Sequence, residues 1–538
     1  MIGISELDDL ISQQLRRCDL VQCALVNKGW HKAVVHHLWG DLTDLNGSLQ
    51  RDAFSQMIME DYQQQQQESP PSVSFSTLSK YGLWIKKIPS HNEFLSYLRY
   101  QTADNQPAKL ELLRHFLRRC TFAMVRCLPL VESDLESVEL LQTIAELYLP
   151  RTLDLRIETP RGGRPIEYWM LKHLLTRCSS NLESLTLDIA LVYTEDKKKG
   201  WEGEYKEESE PRWLLKDLKL LRCNVHRERG DFWPWLGSRC RRLKALEVCE
   251  IGIGAVNLAR EMLEHMQDLT EIHLGWNTKR HGVLQDRDVA ALLCSSHKGW
   301  KIVKLRSGVN IQSTSKAVLL QLPTLEEMVI DGDTGVDEND VVRILSSCPK
   351  LRSLIIIEDG NGSPLDLPAP IFIDQDGDTG RLKAWACEQS LQVIQVHITN
   401  IPRPDLDDPW RSLNETYWGQ GREIQKRVYE RLARFTKLEV LRLGHLFDDA
   451  DDDGELPGDQ YDGLEMTLDS GLHLLAGLKG IRELDVSCLR TGIRVADVEW
   501  MSNHWPGLCK IKGLEYYKVN EEAVEWLQKH CPSIRLEF

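Results

Sequence analysis

Three aspartates at alternate positions, Asp449, Asp451 and Asp453, are followed at once by Gly454. That is how a calcium loop opens: oxygens at the first, third and fifth places meet the ion, and a glycine at the sixth makes the sharp turn. The twelfth place should carry a bidentate glutamate, but here it is Gln460, with one neutral oxygen. Leu441 and Leu443, just upstream, alternate like a strand rather than the helix such a loop follows. In a second series, Asp374, Asp376 and Asp378, Thr379 stands where the glycine belongs and Trp385 where the glutamate belongs. Both series read as solvated acidic loops, and no metal or other cofactor is expected. Gly252-Ile253-Gly254 opens a dinucleotide fingerprint, yet Asn257 occupies the third glycine position. There is no GxxxxGK loop, no HExxH pair and no GxSxG nucleophile turn. The 14 cysteines include no CxxC pair, and the 16 histidines are scattered without a partner nucleophile. The residues that could do chemistry therefore predict a chain that is not an enzyme.

What the sequence does contain is a repeat. The pattern LxxLxLxx(N/C) appears at Leu215-Leu218-Leu220 with Cys223, and again from Leu182, Leu243, Leu269, Leu325, Leu351, Leu391, Leu438 and Ile481. Trp300-Val303-Leu305 and Leu508-Ile511 are weaker copies. The second apolar position recurs at spacings from 25 residues (Val303 to Met328) to 47 (Ile394 to Leu441), the longer ones implying insertions. Each LxL predicts a short strand with one face buried. A returning helix follows, as in VVRILSSC, where Val342, Ile344 and Leu345 are expected to face the sheet. Cysteine precedes the strand at Cys240, Cys348 and Cys531, and one residue further upstream at Cys178. A thiol that repeats with the architecture is a compact buried hydrophobe rather than a nucleophile. These features resemble the cysteine-containing leucine-rich repeats of F-box proteins.

Bulk properties agree with a soluble folded chain. The 538 residues are 42% hydrophobic and 27% charged, and the formal net charge of −15 argues against a nucleic-acid partner. No apolar run is long enough for a membrane span, and the opening MIGISELDDL lacks the marks of a secretion signal. A cytoplasmic or nuclear location with reduced thiols is expected.

Ahead of the repeats, Leu7, Leu10, Ile11 and Leu15 recur at helical spacing after Ser5. Asp19 is placed to cap a second helix, and Trp30, Val34 and Leu38 share one face of a third. The segment DLVQCALVNKGWHKAVVHHLW, Asp19 to Trp39, resembles the second half of an F-box. An F-box usually opens with Leu-Pro, whereas Ile4-Ser5 stands here, which shortens the first helix. With KYGLWIKKI at 80–88, the whole chain is similar to the long F-box/leucine-rich-repeat proteins of fungi.

That resemblance implies an α/β leucine-rich-repeat solenoid, with parallel strands on the concave face and helices on the convex face, preceded by a three-helix F-box-like module. The expected organisation is a module at 1–45, a linker and cap at 46–119, and the solenoid at 120–538 with insertions at about 192–212, 358–383 and 444–462. It further implies a substrate-recognition subunit of an SCF-type ubiquitin ligase. Leu7, Leu10, Ile11, Leu20, Val26, Trp30 and Leu38 would bind the adaptor subunit, and through it a cullin. The target protein would lie on residues that point out of the strands, namely Lys304, Val329, Ile355, Ile357 and Arg442. Two other readings stay open: a repeat scaffold whose N-terminal helices only cap it, and a solenoid that regulates a GTPase.

Overall fold

The computed structural model describes a helix over 56–63, residues 111–112 and 115–116, and strands and isolated core residues between 152 and 225. From 232 to 537 it is continuous apart from 252–255, 276–284, 358–364, 376–379, 403–414, 445–462, 515–519 and breaks of one or two residues. Outside the described residues lie Leu7, Leu10, Ile11, Leu20, Val26, Trp30 and Leu38, the glycines at 252 and 254, and Asp449, Asp451 and Asp453. The chain forms two compact units, 1–247 with 251–268 and 248–250 with 269–538.

The first unit carries β1 (Thr152–Ile157), β2 (Ile166–Glu167), β3 (Ser184–Ile189), β4 (Leu191–Val192), β5 (Leu220–Val225), α1 (Phe232–Arg239), β6 (Ala245–Ile251, except 248–250) and α2 (Val256–Glu264). β1, β3 and β5 run parallel, and β2 pairs with β4 in a separate two-stranded sheet. The copy that reads most cleanly in the sequence is displaced. Leu185 and Leu187 pair with Leu221 and Cys223 rather than with Leu218 and Leu220. The reason is a turn ahead of the strand, in which the Leu218 N–H donates to the Leu215 carbonyl at 3.3 Å and both leucines are buried. β1 lacks the leading leucine of the repeat, since Pro150 stands three residues ahead of Leu153.

In the second unit the order is β7 (Glu271–Leu274), α3 (Asp286–Leu293), β8 (Ile302–Leu305), α4 (Ser313–Leu319), β9 (Glu327–Asp331), α5 (Glu338–Ser347) and β10 (Ser353–Ile357). β11 (Asp366–Pro368), α6 (Ala369–Phe372), β12 (Val393–Gln395), β13 (His397–Thr399), α7 (Glu415–Leu432) and β14 (Val440–Arg442) follow. A 3-10 turn (Leu472–Gly477), β15 (Glu483–Asp485), α8 (Val495–His504), β16 (Lys510–Lys512), α9 (Glu521–His530) and β17 (Arg535–Glu537) complete it. This is an α/β arrangement of parallel strands with returning helices, as a stack of repeats requires.

One register runs through it. Ile272, Val303, Met328, Leu354, Ile394, Leu441, Leu484, Ile511 and Leu536 pair in turn, and all but Leu536 are buried. The template's second leucine is thus one continuous apolar column. Just ahead of it, the N–H groups of Lys301, Glu326, Arg352, Gln392, Glu439, Arg482 and Cys509 each donate to the carbonyl of the equivalent residue one repeat earlier, beginning with Thr270, at 2.7 to 2.9 Å. The weaker sequence copies at Trp300 and Leu508 are full members of this ladder, because Trp300 fills its core position completely and its Nε1 donates to the Leu293 carbonyl at 2.7 Å.

In seven turns the residue three places before the first apolar residue closes the turn with its carbonyl. Cys240, Cys348 and Cys531 occupy it, but so do Leu322, Phe435, Leu478 and Trp505. The requirement is therefore for an apolar filler, and cysteine is one of several that serve. On α5, Val341 is buried with Ile344 and Leu345. The expectation of Val342 is one residue off, because Asp337 and Asp340 form a reciprocal capping box at 3.0 Å that sets the helix phase.

The segment after β10 is not a bare loop. β11 pairs in parallel with β13, and α6 is tied to the end of α7 by Arg431. Arg431 is fully buried, with Nε donating to the Phe372 carbonyl and Nη2 to that of Asp374, both at 3.2 Å. Its Nη1 meets Glu388 at 3.1 Å and also the Lys383 carbonyl.

Candidate functional site

Residues that alternate with the buried column point to the other face of the second unit's sheet. Lys304, Val329, Ile355, Gln395 and Arg442 pair consecutively, so four of the five residues expected to meet a target lie in one row across β8 to β14. Ile357, the fifth, sits two residues further along β10, opposite Asp331.

The row is not uniform. Lys304 reaches Glu327 at 3.2 Å, and Arg442 holds Glu483 at 2.7 Å while donating to Gln395 Oε1 at 3.2 Å. Val329 departs from the expectation of an outward, accessible residue: it is only 6% exposed. A short β-branched side chain between Lys304 and Ile355 is covered by its longer neighbours. Ile355 is half-buried and Ile357 is 39% exposed, so accessible apolar surface on this face centres on β10. In the neighbouring row the half-buried Val393 and Val440 pair beside Ser353 of β10, while Ile302 lies beyond Glu327.

Towards the C-terminal strands the face becomes a charge lattice. Lys510 lies 2.8 Å from Glu537 and 3.7 Å from Glu483, Arg535 lies 3.1 Å from Glu537, and Lys512 lies 3.9 Å from Asp485. The Glu537 hydrogen bond raises the Lys510 ammonium above its ordinary value against the opposing effect of burial. Opposite charges alternate, so the lattice is internally compensated and leaves the apolar β10 region as the feature that differs from ordinary surface.

Chemistry elsewhere is sparse. His115 meets Asp61 at 2.5 Å in a buried pair, and His397 Nδ1 meets Asp366 at 2.7 Å. His397 is buried where β13 pairs with β11. Among the described residues, no group of three or more His, Cys, Asp or Glu side chains could hold a metal ion. Burial pushes the Cys348 thiol up to about 11 and the Cys387 thiol up to about 12, and Cys240 still higher, so none supplies a thiolate. Among the described residues, no helix is long and apolar enough to cross a membrane.

No protein-family model matches the chain, and no curated protein matches it. Among solved structures it is similar to a chain of the crystal structure of the Rad7 and Elc1 complex in yeast, at 13% identity and a TM-score of 0.30, over 56% of this chain and 70% of that one.

Proposed function

We propose that this chain is a non-catalytic substrate-recognition subunit of an SCF-type ubiquitin ligase. Its second unit is read as a leucine-rich-repeat solenoid, and its N-terminal 45 residues as the F-box that binds the adaptor subunit and, through it, a cullin. The observation that carries the reading is the union in one chain of the F-box-like stretch Asp19–Trp39 with nine parallel strands in a single register. A target protein would be held on the face around Ile355 and Ile357, with Lys304 and Arg442 at its charged flanks. The chain would act by proximity, keeping a target lysine near a conjugating enzyme and raising its local concentration without bond chemistry of its own.

The test is affinity capture of the full chain from cells, with the adaptor subunit and cullin as readout. Retention of both is expected. A chain that is folded by circular dichroism yet retains neither overturns the ligase reading and leaves a repeat scaffold. Ile357→Asp, at an exposed position, should release the target while the adaptor stays bound.

A further inference from the structure

The turns that lead from each helix into the next strand of the second unit form one edge of the sheet, aligned by the backbone ladder from Lys301 to Cys509. Along the ladder itself, charges of opposite sign meet. Lys301 lies 2.8 Å and Arg352 3.8 Å from Glu326, and Arg482 lies 3.7 Å from Glu439. At the turn tips, one and two residues ahead of the first buried apolar residue, the pattern is different. Lys350, Lys437 and Lys479 stand there exposed, with Lys298 in the same place ahead of β8, and no carboxylate occupies either tip position in any turn from β8 to β16.

Counting both rows, Lys298, Lys301, Lys350, Arg352, Lys437, Lys479 and Arg482 stand against Glu326 and Glu439, an excess of five positive charges in a chain whose formal charge is −15. The charges interact as a set: the Lys301 hydrogen bond and the charges of Lys301, Arg352 and Lys350 hold the Glu326 carboxyl low against its partial burial. The opposite edge carries the reverse sign. The first turns of α3, α5, α8 and α9 hold Asp286 and Asp288, Glu338 and Asp340, Asp497, and Glu521 and Glu522. Helix dipoles favour both placements, anions at helix starts and cations at helix ends. They leave the side-chain ammonium groups charged, that of Lys479 also donating to the His504 carbonyl at 3.3 Å.

The geometry points to this basic edge as a docking site for an extended acidic segment of a partner protein. Lys350 and Lys437 belong to turns two strand spacings apart, roughly 10 Å, which an extended chain covers in about three residues. Carboxylates spaced along such a segment would meet successive turns. Beside the ladder the half-buried Val393 and Val440 are paired neighbours, so the same segment would find apolar contact there, between Ser353 and Glu483 of the same row. A nucleic acid fits less well, because the tips carry Pro349, Thr436, Gly480 and Gly507 and no aromatic ring on which a base would stack. The inference is independent of the ligase reading and stands if the adaptor does not bind.

The experiment titrates the full chain with a fluorescent ten-residue polyglutamate peptide at low and at physiological salt. Saturable binding that weakens with salt is expected. The triple variant Lys350→Glu, Lys437→Glu, Lys479→Glu should bind about tenfold more weakly, whereas Arg343→Glu, on the exposed side of α5, should not. Should the triple variant unfold at a lower temperature than the native chain, Lys437→Gln alone is compared, with a smaller loss expected. No saturable binding, affinity unchanged in variants that remain folded, or tighter binding of a single-stranded oligonucleotide that the same variants abolish would each overturn the proposal.

Discussion

The guanidinium carbon of Arg431 lies 4.2 Å from the centre of the Trp385 ring, which brings the last turn of α7 onto the segment between α6 and β12. Trp385 packs edge-on against Phe372 at 5.2 Å, and its backbone N–H donates to Glu388, the carboxylate that also meets Arg431 and Arg434. Burial, and then the charge of Arg434, bring the Arg431 guanidinium down to about 10, so it stays ionised at neutral pH. Removing it takes the guanidinium donor from the Phe372 and Lys383 carbonyls. It also leaves Glu388 with only Arg434 and the Trp385 backbone N–H, and the Asp374 carbonyl with only the Lys383 N–H. Arg431→Ala is expected to cost about 3–5 kcal/mol, and Arg431→Lys to recover little of it, because one ammonium replaces neither the fork nor the stacking plane. Urea denaturation measures the loss, and limited proteolysis should show new cleavage between Ile373 and Glu388.

Asp286 caps a helix that is not its own. From the start of α3 its carboxylate accepts the N–H groups of Gln312 at 2.8 Å, Thr314 at 3.0 Å and Ser315 at 2.9 Å, at the start of α4. Burial raises its pKa, but the hydrogen bonds from Ser315, Thr314 and Gln312 outweigh that and hold the carboxyl well below the usual range. With a depressed folded-state value, the stabilisation is complete above the ordinary carboxylate pKa of about 4 and drains away as pH falls through the folded value. Asp286→Ala should therefore cost about 1–2 kcal/mol at neutral pH. The gap between variant and native chain should close below pH 4 in denaturation curves run at several pH values. A gap that persists undiminished in acid would show that the carboxylate is not its source.

Thiol reactivity should follow burial rather than the recurrence of cysteine in the repeat. Cys294 and Cys509 are exposed, whereas Cys240, Cys348 and Cys387 are buried and their thiols pushed upward. Iodoacetamide at pH 8, read by site-resolved mass spectrometry, should modify Cys294 and Cys509 within minutes and leave the other three until denaturant is added. Rapid native labelling of Cys348 would contradict the packing described for its turn.

The strand register was legible because it depends on one residue type at one spacing. Every inward position from Ile272 to Ile511 is aliphatic or Met, and alternation alone locates it. Features built by residues far apart in sequence were not legible. Arg431 sits in a helix rich in charge, ETYWGQGREIQKRVYERL, and nothing in that string marks one arginine as buried. Trp385 appears in sequence as a misfit in a calcium loop, and only the fold shows it as half of a latch. The basic edge escaped notice because its cations come one or two per turn and become neighbours only when repeats stack. Aligning the residues just before each first leucine would have found it. The face residues Lys304, Ile355 and Arg442 could be read from the alternation, but Val329 could not, because its burial depends on the length of the side chains beside it.

Ser487 follows the buried Val486 just after β15, and a glycine from each neighbouring repeat presses against it. A Cβ added at Gly444 would overlap the Ser487 carbonyl, and one added at Gly513 would overlap the Ser487 backbone. Gly513 also has φ of +79°, where a side chain adds strain. Gly513→Ala should thus destabilise by about 1–3 kcal/mol, since the backbone on the other side has nowhere to move. The hydroxyl of Ser487 predicts the opposite sign at the same spot. The residue is fully buried and, among the described residues, its Oγ has no hydrogen-bond partner. Ser487→Ala removes an uncompensated polar atom while keeping the shape, so it should be neutral or stabilising by up to about 1 kcal/mol. Thermal unfolding of the two single variants measures both. A clear loss on Ser487→Ala would mean that the hydroxyl has a partner in solution.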